Sequence, residues 1–167
     1  GHWDKNKFGI ELNNNGFERR KIEMDSVLTA LATMALISAG NTPTNGKYSE
    51  TVKKSVQWIL QRQLANGSFG ESFEFSVYNN SLCSIILSEL SVMCPDQNFK
   101  QPAQKAIDYK KKKKTVHEGF SDYSNVAMST SVNGWLLMAI KSAKIAGLNT
   151  SYFMYEKFDK RLREITT

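Results

Sequence analysis

The chain alternates two kinds of helical segment, and that alternation restricts its fold more than any other feature. One kind is mostly apolar: SVLTALATMALISAG from Ser26, apolar all round; SLCSIILSELSVM from Ser81 to Met93, largely apolar; and STSVNGWLLMAIKSAKIAG from Ser129 to Gly147, with a broad apolar side. The other kind is amphipathic: a stretch from Tyr48, a stretch from Asn98 to Lys114, and SYFMYEKFDKRLREI from Ser151 to Ile165. A helix that is apolar all round needs burial on all sides, whereas an amphipathic one covers an outer surface. Each apolar segment precedes an amphipathic partner, at a period of roughly fifty residues. Two helices per unit predict an all-α domain of three αα-hairpins, each an inner helix followed by an outer one.

The stretch YSETVKKSVQWILQRQLANGSFG, from Tyr48 to Gly70, shows the outer type most clearly. Tyr48, Val52, Val56, Ile59, Leu60 and Gln63 recur at three- and four-residue steps and define a core face. Lys53, Lys54, Gln57, Gln61 and Arg62 define a wet one. Asn66 and Gly67 are expected to stop this helix, because both tolerate the left-handed backbone of a helix C-terminus. Phe69 can then fold back over the helix end.

The other boundaries follow from caps and breakers. Asp25 is the expected N-cap of the first inner helix and Gly40 its end, before the turn NTPTNG. Asn79 or Asn80 is expected to cap the second inner helix, which closes at Cys94-Pro95. Pro102 falls in the first turn of the next outer helix, where its missing N–H costs little. That helix turns Phe99, Ala103, Ala106, Ile107 and Tyr109 inward. Ser129 or Thr130 and Ser151 are the expected caps of the last pair, with Val132, Trp135, Leu136, Met138, Ala139 and Ala143 on the buried side. Residues 1–24, with the loop-marking run Asn13-Asn14-Asn15-Gly16, read as an irregular N-terminal segment, and residues 25–167 as the repeat domain.

At 167 residues, 41% hydrophobic and 23% charged, the chain has the make-up of one folded domain with a real core. No apolar run reaches the roughly 18–20 residues of a membrane span. Gly1 opens into a polar stretch without an apolar leader, and the compartment stays open. The net charge is +6, which raises nucleic acid or an anionic surface as a partner. Five consecutive lysines, Lys110 to Lys114, supply much of that excess, yet no aromatic residues interleave with them as base-stacking platforms. A solvated helix end explains them more simply. Cys83 and Cys94 have no His pair near them in sequence, which argues against zinc. Cys83 reads as a buried free thiol.

The outer stretch resembles the QW repeat of terpenoid cyclases and protein prenyltransferases. Lys54 and Ser55 open the motif, Trp58 and Ile59 are its aromatic–aliphatic pair, Gln63 its glutamine, and Gly67-Ser68-Phe69 its close, with Phe where the motif has Trp. Lys105, Ala106 and Tyr109 open a second, degenerate copy, in which Lys114 replaces Gln and Glu118-Gly119-Phe120 replaces the ending. Gly1-His2-Trp3 looks like the end of a preceding copy, so the chain is expected to begin partway through a longer protein. The last inner segment, Ser129-Thr130-Ser131-Val132-Asn133-Gly134-Trp135 followed by Leu137 to Lys144, resembles bacterial prenyltransferase/squalene oxidase repeat proteins, without their leading Asp. The resemblance implies an α/α toroid with inner helices around a central cavity. Such rings use about six hairpins, so three imply a half-ring or a compact bundle.

The resemblance also says which chemistry to look for. Cyclases of this type carry an Asp-x-Asp-Asp acid, the prenyltransferases hold zinc with Asp, Cys and His, and thioester members of the wider class carry Cys-Gly-Glu-Gln. None of these strings occurs here. Catalytic residues, metal ligands and cofactors are therefore all expected to be none. Aromatic faces can stabilise cations, but Trp3, Trp58, Phe69 and Phe120 are better explained by packing. Candidate ligand-binding residues sit before or within the inner helices: Tyr78 and Asn80 before the second, His117, Asp122 and Tyr123 in the loop before the third, and Asn133 and Trp135 in the third itself. The leading expectation is a non-catalytic scaffold or binding module that receives a protein segment or apolar ligand on its concave face. The alternative is an isoprenoid-processing enzyme whose site is completed by further repeats. An open half-ring would expose inner-helix edges and favour oligomers.

Overall fold

The structure is a computed structural model that describes residues 1–4, 24–69, 76–112, 130–150 and 163. Among them are five helices: α1 (Met24–Ser38), α2 (Ser49–Gln61), α3 (Ser76–Met93), α4 (Lys100–Lys112) and α5 (Thr130–Ile145). The described fold is all-α, as the periodicity requires. The segment 151–165, expected as a third outer helix, lies outside the described residues except for Arg163.

α3 is the middle of the molecule. It packs most extensively on α5, then on α4 and α1, while α2 lies against α1 and α4 makes a smaller contact with α5. The apolar helices α1, α3 and α5 thus form an inner layer, and the amphipathic α2 and α4 lie on its outside. Composition explains the division. On α2, Val52, Ser55, Val56 and Ile59 are buried while Lys53, Lys54, Gln57 and Gln61 are exposed. On α3 the run from Asn79 to Ser88 and Leu90 are buried, including Leu82, Cys83, Ile86 and Leu87, while Glu89, Val92 and Met93 near its end are exposed. Each large apolar side chain so buried is worth about 1.5–3 kcal/mol.

Backbone groups at the helix ends are satisfied locally. After α1, Gly40 takes φ +82°. Its N–H donates to Ile37 O at 2.8 Å, and Asn41 N–H donates to Leu36 O at 3.1 Å. This is a Schellman ending, which needs a residue free of the Cβ penalty at its left-handed position. α5 closes in the same way, with Leu148 N–H on Ala143 O at 2.9 Å and Leu148 itself buried as the apolar plug.

Four sequence expectations need correction. α2 ends at Gln61, several residues before Asn66-Gly67. There Arg62 and Gln63 N–H groups bond Ile59 and Leu60 carbonyls, and an isolated antiparallel bridge between Gln63 and Phe69 pulls the chain back across the helix end. Asn66 and Gly67 shape that return turn instead, with Asn66 Oδ1 accepting from Ser68 N–H at 2.9 Å. α1 starts at Met24, which places Asp25 inside the first turn and not at the cap. α3 starts at Ser76, so Asn79 and Asn80 lie inside it and do not cap it. Asn80 is tied to another segment, as described below, and cannot fold back on its own helix. Two side chains assigned to the core are also exposed: Tyr48 at 46% and Met138 at 50%. Tyr48 stands just before α2, with the Lys47 ammonium 5.5 Å from its ring centroid.

Cys83 and Cys94 are both buried, and neither forms a disulfide. Among the described residues no helix is long and apolar enough to cross a membrane.

Candidate functional site

The loop that closes α2 reaches across to the next hairpin. Gln63 Nε2 donates to Pro102 O in the first turn of α4 at 2.8 Å and to Gly67 O in its own loop at 3.3 Å. Gly67 has φ +94° and lies so close to the Lys105 carbonyl of α4 that a Cβ would clash with it. Phe69 is fully buried, and its N–H donates to Asn80 Oδ1 of α3 at 2.6 Å. One short loop therefore fastens α2 to both helices that follow.

The N-terminal tripeptide makes the same attachment one unit earlier. Gly1 lies against Lys54, where a Cβ would come within 2.8 Å of the carbonyl oxygen. Trp3 N–H donates to Thr29 Oγ1 at 3.1 Å. The spacing from Lys54 to Lys105 equals that from Thr29 to Asn80, so the two attachments are related by the repeat. His2 adds a stack on Trp58, 4.8 Å between centroids and 11° between planes, and the Arg62 guanidinium lies 4.4 Å from the same ring. Inside the unit, Thr33 Oγ1 of α1 meets Ser55 Oγ of α2 at 2.8 Å.

The candidate site residues fall into three groups against this geometry. Asn80 is a fastening residue. Beside its bond to Phe69, its Nδ2 donates to Ala106 O of α4 at 3.4 Å, and Ser84 Oγ donates to its carbonyl oxygen. Tyr78 and Trp135 are brought together across α3 and α5 as an edge-to-face pair, 6.2 Å between centroids and 83° between planes. Both are half-buried. Asn133 is buried, and its Oδ1 has no hydrogen-bond partner among the described residues. His117, Asp122 and Tyr123 lie outside the described residues.

Sequence reasoning missed two polar atoms. Asn79 Oδ1 and Ser88 Oγ on α3 share with Asn133 the condition of being buried without a partner among the described residues. A carbonyl or hydroxyl left so costs about 1–3 kcal/mol. The only sequence signal for them was a polar letter inside an otherwise apolar helix. Glu89 of α3 also reaches α5, accepting from Ser142 Oγ at 2.5 Å. Among the described residues no group of three or more His, Cys, Asp or Glu side chains could hold a metal ion.

Comparison of the chain with protein-family models, with curated proteins and with solved structures finds no match.

Proposed function

We propose that this chain is a non-catalytic repeat domain of the terpenoid cyclase/prenyltransferase-like α/α-toroid type, with three inner–outer hairpins in a partial ring. It acts as a scaffold, holding a protein segment or an apolar ligand against the inner helices near the Tyr78–Trp135 pair. The observation that carries this reading is Asn80. It is a candidate ligand-binding residue at the start of an inner helix, and both its side-chain atoms are spent on Phe69 and Ala106. A residue committed twice to joining helices is a structural staple. The paired attachments of Gly1-His2-Trp3 and Gly67-Ser68-Phe69 support the repeat part of the proposal, since a loop that locks one hairpin to the next is what an array needs.

The test is to incubate the purified chain with farnesyl diphosphate and with squalene and to analyse the products. Neither compound should turn over. Farnesol, which has no leaving group, should bind and change the fluorescence of Trp135, and Trp135→Phe should remove that change. Cyclised or transferred product from either substrate overturns the scaffold reading in favour of an isoprenoid-processing enzyme.

A further inference from the structure

A cavity of about 310 Å³ opens on the outer layer, away from the Tyr78–Trp135 pair. It lies between the α1–α2 turn, the flank of α2 and the turn that leads into α4. Its apolar lining comes from Pro43, Val56, Leu60 and Phe99; Val56 and Phe99 are nearly fully buried. Its polar lining comes from Thr44, Lys53, Gln57, Gln97 and Asn98. The cavity is at the small end of the range for ligand pockets, which run from roughly 300 to 1,000 Å³.

The lining is selective in its chemistry. Three primary amides supply both donors and acceptors, which match the N–H and C=O groups of a peptide unit. Among the described residues that line it, Lys53 is the one charged group, an ammonium. Lys53 has an acidic neighbour on its own helix, Glu50, at 3.8 Å. That pair is exposed, and a pair so exposed to solvent holds its partners weakly. The Phe99 ring is buried too deeply to offer a flat stacking face, which favours an aliphatic side chain over a sugar ring.

We propose that this cavity is a peptide site, taking one aliphatic side chain on the Val56–Leu60–Phe99 floor and an adjacent carboxylate at Lys53. The three amides of Gln57, Gln97 and Asn98 bond the peptide unit between them. The site belongs to the outer layer, so it stands or falls independently of the scaffold reading of the inner helices.

The experiment is an amide-resonance titration of the isotope-labelled full chain with N-acetyl-leucyl-glutamate, using N-acetyl-leucyl-glutamine amide as the neutral control. The side-chain amides of Gln57, Gln97 and Asn98 should shift together and saturate with a dissociation constant of about a millimolar. The neutral control should bind about fivefold more weakly, the scale of one exposed charge contact. Lys53→Gln should abolish that difference, and Glu50→Gln, which removes the competing carboxylate, should tighten binding of the acidic peptide. Both positions are exposed on α2, so both variants should fold. Equal affinity for the two peptides, shifts confined to other residues, or no saturation below about 10 mM would overturn the proposal.

Discussion

Gly67 and Gly40 both adopt a left-handed backbone, at φ +94° and +82°, but their surroundings differ. A Cβ on Gly40 would meet nothing within 4 Å, whereas one on Gly67 would run into the Lys105 carbonyl. Gly40→Ala should therefore cost about 1 kcal/mol, the left-handed penalty alone. Gly67→Ala adds the displacement of α4 and should cost about 2–4 kcal/mol. Denaturant melts of the two variants check this, and equal losses would mean that the approach of the loop to α4 is not a constraint. Asn80→Ala is a second residue-scale test. It leaves the Phe69 N–H buried without its acceptor, and the expected loss is about 2–3 kcal/mol. Asn80→Asp keeps that acceptor and should recover part of the loss in the same melts. The sequence announced Gly67, because a glycine after an amphipathic helix is a turn signal. It did not announce the role of Asn80, whose partners stand 11 and 26 positions away.

At the scale of elements, most of the helices were legible because their hydrophobic periods are long and regular. Of the positions expected to face inward at α4, Phe99, Ala103, Ala106 and Ile107 are buried as the spacing requires, and Tyr109 is half-buried. Helix ends were less legible where tertiary bonds decide them: the Gln63–Phe69 bridge shortens α2, and the loop attachment of Asn80 removes it from capping duty. Position 138 is the instructive failure. Its neighbours Leu136, Ala139 and Ile140 are buried, while Met138 is half exposed, because burial depends on which neighbour a face receives and not on the letter at the position. The energetic consequence is a contrast between two inner helices. Ile86→Ala in α3 should cost about 2–5 kcal/mol, the usual loss for an aliphatic side chain in a packed core. Met138→Ala in α5 should fall within about 0.5 kcal/mol of the wild type. Thermal melts separate the two, and a large loss at Met138 would show that something covers that face in solution.

For the whole molecule, the position of α3 between α1 and α5 predicts an order of opening. α3 has packed neighbours on both flanks and on its outer side, whereas within the described residues α1 and α5 each meet one inner helix. In an array each unit depends mainly on its nearest neighbours, so the unit with most neighbours is the last to open. Native-state hydrogen exchange should find the slowest amides in α3, with α1 and α5 opening at free energies lower by about 1–2 kcal/mol. The two buried thiols provide an independent clock for the same event. Cys83 lies inside α3 at 1% exposure, and Cys94 just past its end at 7%, where a frayed last turn is enough to uncover it. Thiol labelling should therefore modify Cys94 first, and Cys83 only at the rate of the slowest α3 amides, since a buried thiol reacts only when opening admits the reagent. If both cysteines react together, and α1, α3 and α5 exchange at one rate, then the loop attachments through Gln63 and Asn80 couple the units into a single cooperative body, and neighbour number does not set the order of opening.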